Sequence, residues 1–269
     1  MIGPAADSVI LGALLALVIE VVSLRFARRR PTGEILCPFP TLAVGLLITW
    51  LVFAWLGEAR YGLEKGNGST ALIGAFVGGL IMLGAGLMTE RTRPSSRRHF
   101  SAVVLGGISL TVGGLGVPHL TLPFMGTADL SQHWMLLITI AWVFLVTGLF
   151  EVLGVIPVLS GVAGLLAGSI MLLPVGFFHS FAGFVLCGSM LGVLLGRFVG
   201  QLFSAQSRSS GIAEVLVLGY TASAATLTVF AKSVVIASFI IPIGAIATVL
   251  VLLLMHSLGG SLVLRQTPR

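Results

Sequence analysis

Charge is scarce in this sequence. Asp, Glu, Lys and Arg make up 9% of its 269 residues, where soluble domains carry about 25%. With 57% hydrophobic residues and a mean hydropathy of +1.10, the chain has too little polar surface to solvate a globular domain. That excludes a soluble protein and leaves a polytopic membrane protein, an all-α bundle forming one integral membrane domain over residues 1–269. Cysteine is nearly absent. Cys37 and Cys187 stand far apart, in no CxxC pair and beside no histidine cluster, which argues against a disulfide framework or a zinc site. No DxD, DDxxD, HExxH, Walker or GxSxG element occurs, and His99, His119, His133, His179 and His256 are scattered singly.

What the chain has in abundance is apolar length. A bilayer core of about 30 Å takes roughly 20 apolar residues per helix, and nine stretches approach that length: 8–25, 41–57, 70–88, 101–118, 134–151, 159–176, 180–203, 212–230 and 233–257. The first has no basic residue before it and a basic cluster after it. That is the reverse of a signal peptide, so it is expected to stay as an anchor.

The basic residues divide unevenly between the loops. Arg25, Arg28, Arg29, Arg30, Arg91, Arg93, Arg97, Arg98, Arg197, Arg208, Arg265 and Arg269 fall on one side if the spans alternate, and Arg60, Lys65 and Lys232 on the other. The positive-inside rule then places the N-terminus outside and the C-terminus in the cytosol. The same placement explains the sequence pI of 10.4 by topology, with membrane lipids rather than nucleic acid as partners. Small residues recur along the spans, as in "GAFVGGLIMLGAGL" and "GVAGLLAGS"; they let helix backbones approach closely in lipid.

The acids are nine. Asp7, Glu58, Glu64 and Asp129 read as extracytoplasmic surface charges, Glu34 follows a basic run, and Glu20 lies within the first span, where an ionised group needs a partner. Glu90, Glu151 and Glu214 fall at the cytoplasmic ends of the third, fifth and eighth spans. Carboxylates so placed are the kind that hold magnesium against a phosphorylated substrate, because a hard cation takes oxygen ligands and neutralises charge on phosphoryl oxygens.

The stretch "GLMTERTRPSSRRHFSAVVLGGISLTVGGLGVPHLTLPF" resembles a block of the polyprenyl-phosphate N-acetylhexosamine-1-phosphate transferases (glycosyltransferase family 4 type), bacterial enzymes that load a sugar phosphate from a UDP-sugar onto undecaprenyl phosphate. In the family this block opens Gly-Leu-Leu-Asp-Asp, and here Thr89 and Glu90 stand at the two aspartates. "ITIAWVFLVTGLFEVLGVIPVLSGVAGLLAGS" resembles the next block. Thr147 is kept, Gly148 and Glu151 replace asparagines, and Ser160 and Ala163 stand at the aspartates of Asp-Gly-Leu-Asp-Gly. A gap-free register would put Gly154 and Pro157 there instead. "GSMLGVLLGRFVGQLFSAQSRSSG" resembles a third block, with Arg197 at an asparagine and Ser207 near an aspartate.

The resemblance implies a bundle of the bacterial cytoplasmic (inner) membrane, with a cytosolic site whose metal-binding and catalytic aspartates have been substituted. The chain is accordingly expected to be a non-catalytic relative, without a cofactor. It would bind undecaprenyl phosphate or serve as a partner of an envelope-glycan enzyme. If the third and fifth spans adjoin, as the resemblance implies, Glu90 and Glu151 share a vestibule with Arg91, Arg93 and Arg197. That vestibule would be an ion-paired plug, and Arg91, Arg93, Arg97, Arg98 and Arg197 would attract anionic lipid. Two rival readings stand beside this one: an active transferase using Glu90 and Glu151 as a relocated magnesium pair, and a small-solute transporter.

Overall fold

The computed structural model describes residues 3–28, 41–61, 68–91, 96–122, 126–154, 157–203 and 211–230. The ninth apolar stretch, 233–257, lies outside the described residues. Among them are eight helices: α1 (Gly3–Arg28), α2 (Thr41–Tyr61), α3 (Gly68–Arg91), α4 (Ser96–Val112), α5 (Gln132–Gly154), α6 (Pro157–Phe177), α7 (Phe181–Phe203) and α8 (Ile212–Phe230). Five, α3 and α5 to α8, are long and apolar enough to cross a membrane. In α1 and α2 the described apolar stretches, Ala6–Val18 and Leu42–Leu56, are shorter. The protein is a multi-pass membrane helix bundle.

One feature departs from the all-helical expectation. Between α4 and α5 two short antiparallel strands, β1 (His119–Leu122) and β2 (Gly126–Asp129), pair with His119 opposite Asp129 and Leu122 opposite Gly126. The fourth span, expected to run to residue 118, stops at Val112 because Gly114 takes φ 85°. Leu115 N then donates to Leu110 O (2.8 Å) and Gly114 N to Thr111 O (3.0 Å), a Schellman closure that only a left-handed residue permits. α6 ends the same way, with His179 at φ 49° in the position usually given to glycine and Ser180 N donating to Val175 O (3.3 Å).

Contacts between helices fix their relative directions. Residues 8, 12 and 13 of α1 meet residues 184, 189 and 196 of α7 in rising order, so these two run parallel. Trp50 Nε1 of α2 donates to Ser189 Oγ (2.9 Å) while Gly45 lies against Val193, which makes α2 and α7 antiparallel. The pairs α3–α4, α3–α8, α4–α5, α5–α8 and α7–α8 are antiparallel by the same test. The eight helices therefore alternate, and the C-termini of α3, α5 and α7 share one end with the N-termini of α2, α4 and α8.

Glycine sets how closely the helices approach. In lipid, association gains nothing from hydrophobicity and depends on packing, so small residues mark the interfaces. A side chain at Gly192 would strike the backbone of Val9, and one at Gly196 would lie 2.5 Å from Ala13 O, so α1 sits directly on α7. Gly78 makes room for the Tyr220 hydroxyl and Gly79 for the ring of Trp50.

α8 is the central helix, packing on α2, α3, α5, α6 and α7, with Ala213 to Val229 buried throughout. Its sequence, apolar or small on every side, suits such a position. Its serine and threonine hydroxyls bond within the helix, Thr221 to Val217 O (2.6 Å), Ser223 to Gly219 O (2.9 Å) and Thr228 to Ala225 O (2.7 Å), as an interior without water requires. Trp142 Nε1 of α5 donates to Thr226 Oγ1 (2.7 Å), and Tyr220 Oη lies 3.3 Å from Ser109 Oγ of α4.

Candidate functional site

Helices of opposite direction bring opposite termini together, and the basic end of this bundle is where the acids meet those termini. At the start of α8, Gly211 occupies the capping position, its carbonyl accepting from Glu214 N (3.1 Å) and Val215 N (3.2 Å). Glycine has no side chain to satisfy the first free N–H groups of a helix. Glu90, from the last turn of α3, supplies the missing acceptor: Ala213 N donates to Glu90 Oε1 at 3.0 Å. Two glycines make the reach possible. A side chain at Gly211 would collide with that carboxylate, and one at Gly86 would collide with the Ala213 backbone.

Glu214, in the first turn of α8, is oriented toward two other helices. One oxygen is bound by Arg197 of α7, and the other accepts from Leu42 N in the first turn of α2 (3.4 Å). The pair is deeply placed, with side-chain exposures of 12% for Arg197 and 6% for Glu214. A carboxylate here gains from the guanidinium and from the positive ends of the α2 and α8 dipoles at once.

Glu151, in the last turn of α5, meets His99 from the first turn of α4, with Nδ1 to Oε1 at 3.2 Å. The shared vestibule expected for Glu90 and Glu151 is not what the helices form. Among the described residues α3 and α5 do not pack closely on each other; each packs instead on α4 and α8. Glu90 serves α8, Glu151 faces His99, and Arg197 is bound to Glu214. The side chain of Arg91 lies outside the described residues, as do Arg93 and Ser207.

The other sequence-derived positions are scattered. Thr89 Oγ1 donates back to Ala85 O (2.8 Å), and the buried Thr147 donates to Val143 O (2.5 Å). Ser160 is buried, Ala163 packs against the core, and the Cα side of Gly148 faces open space. Arg97 and Arg98 are exposed at the start of α4. Sequence reasoning passed over His99 as an isolated histidine and left Glu214 without a partner. The available signal was alternation itself, which puts the start of the fourth span and the end of the fifth in one layer.

Among the described residues these positions offer few of the oxygen ligands that magnesium takes. The ion takes about six oxygen ligands in near-octahedral order. At the positions that carry the resemblance the Thr89 hydroxyl is turned to its own helix, one Glu90 oxygen is bound by a backbone N–H, and Gly148 offers no side chain. Among the described residues no three His, Cys, Asp or Glu side chains gather as a ligand set. Compared with protein-family models, curated proteins and solved structures, the chain matches none.

Proposed function

We propose that this chain is a non-catalytic, multi-pass protein of the bacterial cytoplasmic membrane, N-terminus outside. On this reading it is a relative of the sugar-1-phosphate transferases that act on undecaprenyl phosphate, and serves envelope-glycan assembly as a lipid-carrier-binding or partner subunit. The observation that carries the reading is the use made of Glu90. It is the one acid at the family's Asp-Asp position, and its Oε1 accepts from Ala213 N at the α8 terminus (3.0 Å). A carboxylate used to hold a helix is poorly placed to hold an ion and a pyrophosphate, and a fold can outlast its chemistry.

The test is a transfer assay. Purified protein with UDP-N-acetylhexosamine, undecaprenyl phosphate and magnesium is expected to release no UMP above background. Turnover that Glu90→Gln abolishes would overturn the reading and restore an active enzyme.

A further inference from the structure

Of the five helices long and apolar enough to cross a membrane, α6 is the least covered. Val162, Leu166, Ile170, Leu173 and Phe177 follow one side of it at helical spacing, and their exposure rises from 44% at Val162 to 81% at Phe177. That side is not purely apolar. Ser169 is exposed on it, and the Ser169 hydroxyl has no hydrogen bond among the described residues. Pro174, inside the helix, has no N–H to give the carbonyl of Ile170. Acyl chains can satisfy neither group, whereas a neighbouring helix can.

Chain continuity names the helix. Thr228 in the last turn of α8 and Val175 in the last turn of α6 both lie against Gly183 of α7, so the chain leaves α8 beside the end of α6. Only Ala231 and Lys232 separate Phe230 from the apolar stretch 233–257, and two residues reach about 7 Å, too little to carry the stretch across the bundle. α8 itself is enclosed on every side. As a helix the stretch would be about 37 Å long, ample for the rise of about 22 Å from Val162 to Phe177, and running back from the end of α6 it would bring Ser238 within about one turn of the level of Ser169. We propose that residues 233–257 return to the basic end as a ninth helix lying antiparallel on the exposed side of α6, with Ser238 near Ser169. The proposal is independent of the transfer assay.

The test is disulfide linkage in the full chain, in native membranes. Cys37 is replaced by serine, the buried Cys187 is kept, and a protease site is placed after Gln206 so that linkage is read as two fragments held together until reduction. Leu173→Cys, an exposed change that disturbs no packing, is paired in turn with cysteine at Ile236, Ala237, Ser238 and Phe239, one helical turn at the level of Leu173. Oxidation is expected to link the fragments at one or two neighbouring positions of that turn, as a helix with one face on α6 requires, and to link none of them to Leu80→Cys, exposed on α3. No linkage at any of the four positions would leave this side of α6 to lipid and overturn the proposal. Equal linkage at all four, or equal linkage to Leu80→Cys, would deny a defined seat on α6. A covalent dimer formed by Leu173→Cys alone would show that a second copy covers the face instead.

Discussion

Glu90 and Ala213 are 123 residues apart in sequence, yet the carboxylate of one accepts the backbone N–H of the other at 3.0 Å. An acceptor borrowed from α3 thus completes the start of α8, whose own capping residue is a glycine. Glu90→Ala should cost about 1–2 kcal/mol, the range for lost caps. Glu90→Gln, which keeps an acceptor and loses only the charge, should cost less than about 1 kcal/mol. Thermal unfolding in detergent measures both, and equal losses for the two variants would show that the bond to Ala213 is not the source of the effect.

The Arg197–Glu214 pair is mostly withdrawn from solvent, so removing the arginine takes from a buried carboxylate the guanidinium that binds it. Arg197→Ala should destabilise by about 3–5 kcal/mol, while replacing both residues with methionine should cost far less. A double-mutant cycle read by denaturation decides this. Additive losses would mean that the two side chains are not coupled.

Two glycines two residues apart on α3 should respond in opposite ways to alanine. A Cβ at Gly84 meets nothing within 4 Å, and Gly84→Ala should be neutral or stabilising by up to about 1 kcal/mol. At Gly86 the same methyl would collide with the Ala213 backbone, and Gly86→Ala should cost about 1–3 kcal/mol while loosening the cap from Glu90. Amide exchange at the start of α8 reports that loosening directly. Similar melting temperatures for the two variants would contradict the packing of α3 on α8.

His179 closes α6 with φ 49°, a conformation that costs an L-residue roughly 1–2 kcal/mol. His179→Gly should therefore raise stability by about 1 kcal/mol, less the entropy that glycine restores to the unfolded chain. Lower stability would mean that the imidazole makes a contribution larger than the strain.

The alternating directions of the helices make orientation a single binary question. Reporter fusions after Arg30 and Arg98 should read as cytosolic, and one after Lys65 as external, as the unequal distribution of arginine and lysine implies. A cytosolic signal after Lys65 would reverse the assignment.

The amino-acid sequence on its own determined that the chain lives in a bilayer, where most of its helices begin and end, and which loops are basic. These follow from composition and local apolar length, and each helix satisfies its own backbone without reference to its neighbours. Its limits lay where local signals ended. The fourth span overran because the closure at Gly114 depends on a conformation rather than on hydropathy, and no apolar count foretold the strand pair at 119–129. Only the tertiary structure decided that α8 is the centre, that Glu90 reaches Ala213 rather than Glu151, that His99 meets Glu151, and that Gly86 is occupied where Gly84 is open. In lipid a leucine facing a tail and a leucine facing a helix are equally content. The faces of these spans therefore carry little trace of which partner each will meet, and the pairing of their few charges is settled by packing.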